Sequence, residues 1–204
     1  MNGSIYGDNL PAMKELMDKI MARIGVLREA EEASCGMDPV EHCLGRIKSE
    51  ESMREKCRRQ GLPECEESAL GAIRDAIGIR VVCAFLSDVY KIRDHLASFS
   101  DLEVVEEKDY IKNVKPNGYR SYHMILKSDA GYFVEIQLRT ISQDTWAALE
   151  HHMRYKKNVS QNERLIVSEL KRCADELAST DISMQAIREL IFDASDRTNG
   201  ARGE

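Results

Sequence analysis

Leu10, Met13, Leu16 or Met17, Ile20, Ile24 and Leu27 recur at steps of three and four with polar residues between them. That spacing predicts a long amphipathic helix over residues 9–32, capped by Asp8 or Asn9. Such a stripe ordinarily packs on a core or on another subunit. Gly36 and the pair Asp38-Pro39 end it, because both disfavour continuation. The segment that follows predicts a short strand ending near Lys48 and a helix capped by Ser49, with Ser52, Lys56 and Arg59 on one helical face. Residues 68–77 read as a further helix. Residues 79–85, Ile-Arg-Val-Val-Cys-Ala-Phe, are too short for a helix and rich in branched side chains, which predicts a buried strand.

An amphipathic helix over 88–99, a strand over 102–108, a loop and a strand over 121–127 come next. Asp129-Ala130-Gly131 predicts a hairpin turn, and the chain returns as a strand over 132–139. There the alternation is informative: Val134, Ile136 and Leu138 share one face, Glu135, Gln137 and Arg139 the other. The helix over 142–156 carries Trp146, Leu149 and Met153 on a packing stripe and Glu150, His151, Arg154 and Asn158 on a polar one. Finally 163–178 and 183–194 are amphipathic, with Ile166, Leu170, Cys173 and Leu177 at heptad-like spacing, and predict a helical hairpin. The order is mixed α/β.

With 204 residues the chain suits one α/β domain with helical additions: an N-terminal helix in 1–38, a core in 39–160 and C-terminal helices in 161–204. The formal charge of −6 argues against a general nucleic-acid or membrane surface, so an anionic ligand would be bound locally. One place for it is 44–59, where Arg and Lys outnumber the acids by 6 to 3. A solvated basic helix face explains the same residues. The 6 cysteines form no Cys-x-x-Cys pair and read as free thiols of a reducing compartment. The N-terminus has no apolar signal region and no run reaches membrane-spanning length, so the chain is expected in the cytoplasm. The 5 histidines lack the spacing of a histidine-built metal centre.

Candidate chemistry centres on residues 109–123. Pro116 fixes its own φ while Asn117 and Gly118 tolerate left-handed backbone, so the chain turns sharply and presents Tyr119. With Lys112, Lys115 and Arg120 around it, that ring suits stacking on a base while cations hold phosphates. An ordinary charged loop is the plainer alternative. Asp75 and Arg80 bracket Gly78 at the start of a strand, and Asp75 is the natural partner for Glu135 on the polar strand face.

The set Gly45-Arg46-Ile47-Lys48, Asp75-x-x-Gly78-x-Arg80, Asp109-Tyr110-Ile111, Lys115 to His123, Glu135 to Thr140, and Trp146-Ala147-x-x-Glu150-His151 with Tyr155-Lys156 resembles the RelA/SpoT synthetase domain in order and spacing. Over residues 10–190 the chain looks like a stand-alone small alarmone synthetase of the RelQ/RelP kind. The resemblance implies a nucleotidyltransferase-like mixed β-sheet surrounded by helices. It implies transfer of pyrophosphate from ATP to the 3′-hydroxyl of GDP or GTP, with GMP as a further acceptor, leaving AMP. On that footing Asp75 and Glu135 would hold magnesium, and Glu135 would take the hydroxyl proton. Arg46 and Arg80 would sandwich the adenine, and Lys48, Lys56 and Arg59 would hold the ATP phosphates. Tyr119 would stack on guanine, with Lys115, Asn117, Arg120, His123 and Gln137 as acceptor contacts. Val114 stands where the family commonly has Pro, which implies a looser loop and altered acceptor affinity or preference. The family's basic allosteric residues have no counterpart around Met21, Gly25 and His42. A homo-oligomer is expected, a tetramer in preference to a dimer. The family's hydrolase uses a His-Asp metal site that this sequence lacks, so hydrolysis is not expected. Two rival readings remain: a tRNA 3′-end pyrophosphokinase, which would want a basic surface, and a non-catalytic nucleotide- or RNA-binding oligomer.

Overall fold

The computed structural model of the chain describes residues 3–154 and 162–200, with side chains at all of these except 154 and 193–200. The first long element, α1 (Leu10–Cys35), buries Met13, Ile20 and Ile24 and stops at Gly36, whose φ of 73° is left-handed. Five strands follow in one sheet: β1 (Val40–Ile47), β2 (Ile77–Cys83), β3 (Leu102–Asp109), β4 (Tyr122–Ser128) and β5 (Phe133–Thr140). Their spatial order is β1-β2-β5-β4-β3, with β2 and β5 parallel and the other pairs antiparallel. The mixed sheet with surrounding helices is the fold class expected from the sequence. The helices are α2 (Glu50–Gln60), α3 (Leu86–Ala97), α4 (Ile141–Arg154) and α5 (Glu163–Gly200).

Alternation along the strands decides which face is core. Ile77, Ile79 and Val81, Val134, Ile136 and Leu138, and Met124 and Leu126 are buried, on the face that α1 and α3 cover. Close contact with α1 is possible at Gly45 because it has no side chain: a Cβ there would meet the Met21 and Met17 sulfurs at 2.6 and 2.8 Å. The residues on either side, Leu44 and Arg46, therefore point to the opposite face.

Three expectations need correction. The helix expected over 68–77 stops at Ala72. A single π-type turn, Ser68–Ala72, closes when the Ile73 N–H reaches the Ser68 carbonyl, and Ile73 is already extended. The Ala76 carbonyl then accepts the Lys48 N–H at 2.9 Å, so pairing with the end of β1 captures the segment. The C-terminal hairpin is one continuous helix. Residues 179–182, Ser-Thr-Asp-Ile, contain no Gly or Pro, Thr180 and Ser183 bond back to the Glu176 and Ser179 carbonyls, and Asp181 is buried, accepting from the Thr140 hydroxyl at 2.6 Å. In α4 the buried line runs through Gln143 and Trp146, while Leu149 and Met153 are exposed; Trp146 is held towards α5, donating its indole N–H to the Leu170 carbonyl at 2.8 Å. Tyr155, Lys156 and Asn158 lie outside the described residues.

The N-terminal segment is tied down as well. Ser4 and the Ile5 N–H bind the Glu50 carboxylate at 2.7 and 3.2 Å, and Tyr6, 1% exposed, donates its hydroxyl to the Lys48 carbonyl at 2.7 Å. Burial first, then the Asp75 and Glu50 charges, push that phenol up to about 12, so it stays a donor. Tyr6→Phe strands the carbonyl at low cost in volume. It is expected to cost about 1 kcal/mol and to lower the thermal midpoint by about 2–4 °C in a melting experiment.

Candidate active site

Two rows of residues cross the sheet face opposite the core. Arg46 pairs with Gly78 and Gly78 with Glu135; Leu44 pairs with Arg80, Arg80 with Gln137 and Gln137 with His123. Because neighbours in register point to the same side, these side chains converge on one surface. Gly78 leaves the gap between Arg46 and Glu135 open, since a Cβ there would touch the Arg46 side chain at 3.8 Å. The result is a cleft of about 310 Å³ walled by Arg46, Gly78, Arg80, Glu135 and Gln137. A second space of about 640 Å³ adjoins it through Arg46 and is lined by Lys48, Ser52, Lys56, Arg59 and His151.

That second space is built by the start of α2. Ser49 is the N-cap, its hydroxyl accepting the Ser52 N–H at 3.3 Å, which rotates Ser52, Lys56 and Arg59 to one side as their spacing predicts. The Lys48 and Lys56 ammoniums both reach Asp75 Oδ2, at 2.5 and 2.6 Å. Burial works against both partners of this cluster. At Asp75 it opposes ionisation, but two ammoniums outweigh it and hold the carboxyl below its ordinary value. At Lys48 burial outweighs the one carboxylate and lowers the ammonium. Asp75 Oδ1 is buried with no hydrogen-bond partner.

On the other side of the cleft, Glu135 Oε2 accepts from Gln137 Nε2 at 3.0 Å and Oε1 lies 3.5 Å from His123 Nδ1. Burial would raise this carboxyl, yet the His123 contact and the Gln137 bond hold it below its ordinary value, against a smaller push from the Asp75 charge. His123 Nε2 meets the Tyr119 hydroxyl at 2.8 Å, and the same hydroxyl accepts from Arg139 Nη2 at 2.8 Å. A carboxylate can only accept, so a His123 proton on Nδ1 satisfies Glu135, and in that tautomer Nε2 accepts from the Tyr119 hydroxyl. Lys115 places its ammonium 4.8 Å from the Tyr119 ring centre and 4.2 Å from that of Tyr110.

The loop before β4 has its own logic. Asn117 Oδ1 accepts the Tyr119 N–H at 3.2 Å, an Asx turn that aims the ring. Gly118, at φ 91°, lies so near α5 that a Cβ would come within 2.7 Å of Ala174 Cβ. Arg120 is not brought to the cleft: it pairs with Asp175 of α5 at 2.7 Å and bonds the Gly118 carbonyl. Lys112 turns instead to the Tyr90 ring and Asp109. Arg46, Lys48, Lys56, Arg59, Asp75, Arg80, Lys115, Tyr119, His123, Glu135 and Gln137 are assembled. Arg139 and Asp144 also belong to the assembly and were not singled out from the sequence. Arg139 was visible on the polar face of its strand, whereas nothing in the spacing marked Asp144.

The residues fit a hard divalent cation. Among the described residues no group of three or more His, Cys, Asp or Glu could enclose a metal, but Asp75 offers a buried, unpartnered oxygen and Glu135 lies within reach of its charge. One or two carboxylates completed by water and phosphate oxygens are the usual magnesium environment.

Residues 45–160 match the family described as the region found in RelA/SpoT proteins. The GTP pyrophosphokinase YwaC of Bacillus subtilis is 34% identical over 193 residues, 91% of each chain. A second relative, YjbM of the same organism and also named a GTP pyrophosphokinase, is 29% identical over 89% of this chain and 87% of its own. Among solved structures, small alarmone synthetase 2 of B. subtilis superposes with a TM-score of 0.76 at 35% identity, covering 89% of this chain and 98% of the other. Small alarmone synthetase 1 of B. subtilis bound to its product pppGpp superposes with a TM-score of 0.75 at 28% identity, covering 90% and 95%. With more than half of its length matched and the same sheet beneath it, the chain belongs to the RelA/SpoT family.

Proposed function

We propose that this protein is a magnesium-dependent (p)ppGpp synthetase, moving the pyrophosphate of ATP to the 3′-hydroxyl of GDP or GTP and releasing AMP. The observation that carries the reading is the convergence of Lys48 and Lys56 on Asp75, in the space that adjoins the Arg46–Arg80 cleft, with Glu135 in the wall of that cleft and His123 joining Glu135 to the Tyr119 hydroxyl. Basic groups, a carboxylate with a free oxygen and an aromatic platform are what a nucleotide pair requires.

In this reading the adenine lies between the Arg46 and Arg80 guanidiniums, whose planar faces stack in a way that lysine could not match. Lys48, Lys56 and Arg59 take the phosphates. Guanine stacks on Tyr119, with Lys115, His123 and Gln137 around the acceptor and Asn117 shaping the loop. Arg120 acts on the loop through Asp175 rather than on the nucleotide. Asp75 and Glu135 would hold the magnesium, which neutralises charge on the transferring phosphates when bound. The 3′-oxygen attacks the β-phosphorus, the bond from that phosphorus to the α–β bridging oxygen breaks with AMP leaving, and the hydroxyl proton passes to a Glu135 oxygen. Leu165, Ile182, Ile187, Leu190 and Ile191 of α5 are exposed apolar residues, which supports assembly through that helix into a homo-oligomer, a tetramer by preference. No described helix is long and apolar enough to cross a membrane, in keeping with a cytoplasmic enzyme.

Purified protein with ATP, magnesium and each of GMP, GDP and GTP is expected to form new guanosine species with matching AMP on anion-exchange analysis. Chelating the magnesium should abolish them. No product from any guanosine acceptor, with label passing from ATP to tRNA instead, would replace this reading by the tRNA one.

A further inference from the structure

We propose that Arg139 and Asp144 are a positioning pair through which occupancy of the donor half of the cleft tightens the acceptor half. The inference rests on the synthetase reading above. Arg139 is only 6% exposed and every part of its guanidinium is engaged. Nη1 donates to Asp144 Oδ1 at 3.1 Å, Nη2 to the Tyr119 hydroxyl at 2.8 Å and to Gln137 Oε1 at 3.0 Å, and Nε to the Ser121 hydroxyl at 3.4 Å. Two of these partners are acceptor-side groups. The remaining link crosses the cleft, because Asp144 Oδ1 also lies 3.5 Å from Arg80 Nη1.

One carboxylate oxygen is therefore shared between a buried guanidinium and a partly exposed one. Arg80 is 41% exposed at its side chain, against 7% for Arg139, and its Nε has no partner although buried. Arg80 is the guanidinium free to change allegiance. If it stacks on an adenine, its hold on Asp144 weakens and that carboxylate serves Arg139 alone. A charge-assisted pair in a poorly hydrated place strengthens when competition for the acceptor is removed. Arg139 is then fixed more firmly, and with it the Tyr119 hydroxyl, the orientation of His123 and the amide of Gln137. Donor binding prepays part of the ordering that acceptor binding requires, and the effect must be equal in the other direction.

The test is calorimetric titration of GDP into the intact protein with and without saturating ATP analogue carrying a methylene between its α and β phosphorus atoms, magnesium present. In the wild type the analogue should tighten GDP binding about tenfold, within the usual range of such couplings. Asp144→Asn should still bind each nucleotide alone, with the coupling factor falling towards one. Tyr119→Phe keeps the stacking ring and removes only the hydroxyl, so it should lose the coupling in the same way and covers the case in which Asp144→Asn does not fold. A purely structural role for Arg139 and Asp144 would weaken both nucleotides and leave the factor at its wild-type value. Full coupling in Tyr119→Phe, or none in a wild type that binds both nucleotides and turns over, overturns the inference while the synthetase reading stands. A wild type that binds neither nucleotide overturns both.

Discussion

Glu135→Gln is expected to lower kcat by about 10²–10⁴-fold while GDP binding changes little. The substitution keeps length and shape, so the strand register that aligns Gly78 and Ile125 with this position has no reason to move, and the oxygen that accepts from Gln137 Nε2 survives as an amide carbonyl. What disappears is the negative charge and the ability to receive a proton. His123, whose Nδ1 faces Glu135 at 3.5 Å, loses its charged neighbour, but the Tyr119 hydroxyl still fixes the other nitrogen. The outcome separates chemistry from recognition: an interaction made only in the transition state lowers kcat and kcat/KM together. Because Glu135 sits below the ordinary glutamate value of 4.5, it is ionised at neutral pH. Mild acidification should not withdraw its contribution in the wild type; the loss from this group comes only as pH falls beneath that value. A variant with wild-type kcat would move the proton to another acceptor.

The parts of this site that could be read from the chain are those written in a single periodicity. The polar face of β5 announces Glu135 and Gln137 through alternation, and the Ser49 cap sets Lys56 and Arg59 on one side of α2 before any tertiary contact is known. Arg120 shows the limit. Its position beside Tyr119 invites a shared role, yet successive residues of an extended segment point in opposite directions, and Arg120 reaches Asp175 on α5. Arg139 depends on Tyr119, Ser121 and Asp144, which only the sheet order β1-β2-β5-β4-β3 and the start of α4 bring together. The failed helix at 68–77 has the same origin. Ala69, Ile73 and Ala76 fit a helical stripe and all are buried, but only Ala69 lies in the π-type turn; from Ile73 the chain is extended and Ala76 is tied to Lys48, so tertiary hydrogen bonding overrides local spacing.

Asp75→Asn should abolish turnover almost completely, by about 10³-fold if the carboxylate supplies on the order of 4 kcal/mol of transition-state stabilisation through the cation it would hold. It should also alter the stability of the protein, which Glu135→Gln has less reason to do. Asp75 Oδ2 receives both the Lys48 and Lys56 ammoniums, and these side chains are only 14–21% exposed. The neutral amide would leave two neighbouring cations without their counter-charge, one of them, Lys48, already disfavoured as an ammonium by burial. Partial solvent access moderates the cost, to about 1–3 kcal/mol between the surface and fully buried limits. The sign of the pH dependence follows from the carboxyl lying below its ordinary 3.8 in the fold. Stability from a depressed carboxyl is complete above the unfolded value and lost as pH falls through the folded one. Urea denaturation at neutral pH should therefore separate wild type from Asp75→Asn by the full amount, and the gap should close below about pH 4. Equal stabilities at neutral pH would mean that the desolvation of Lys48 and Lys56 cancels their attraction to Asp75. The cluster would then be held for the phosphates it can receive, with no net contribution to folding.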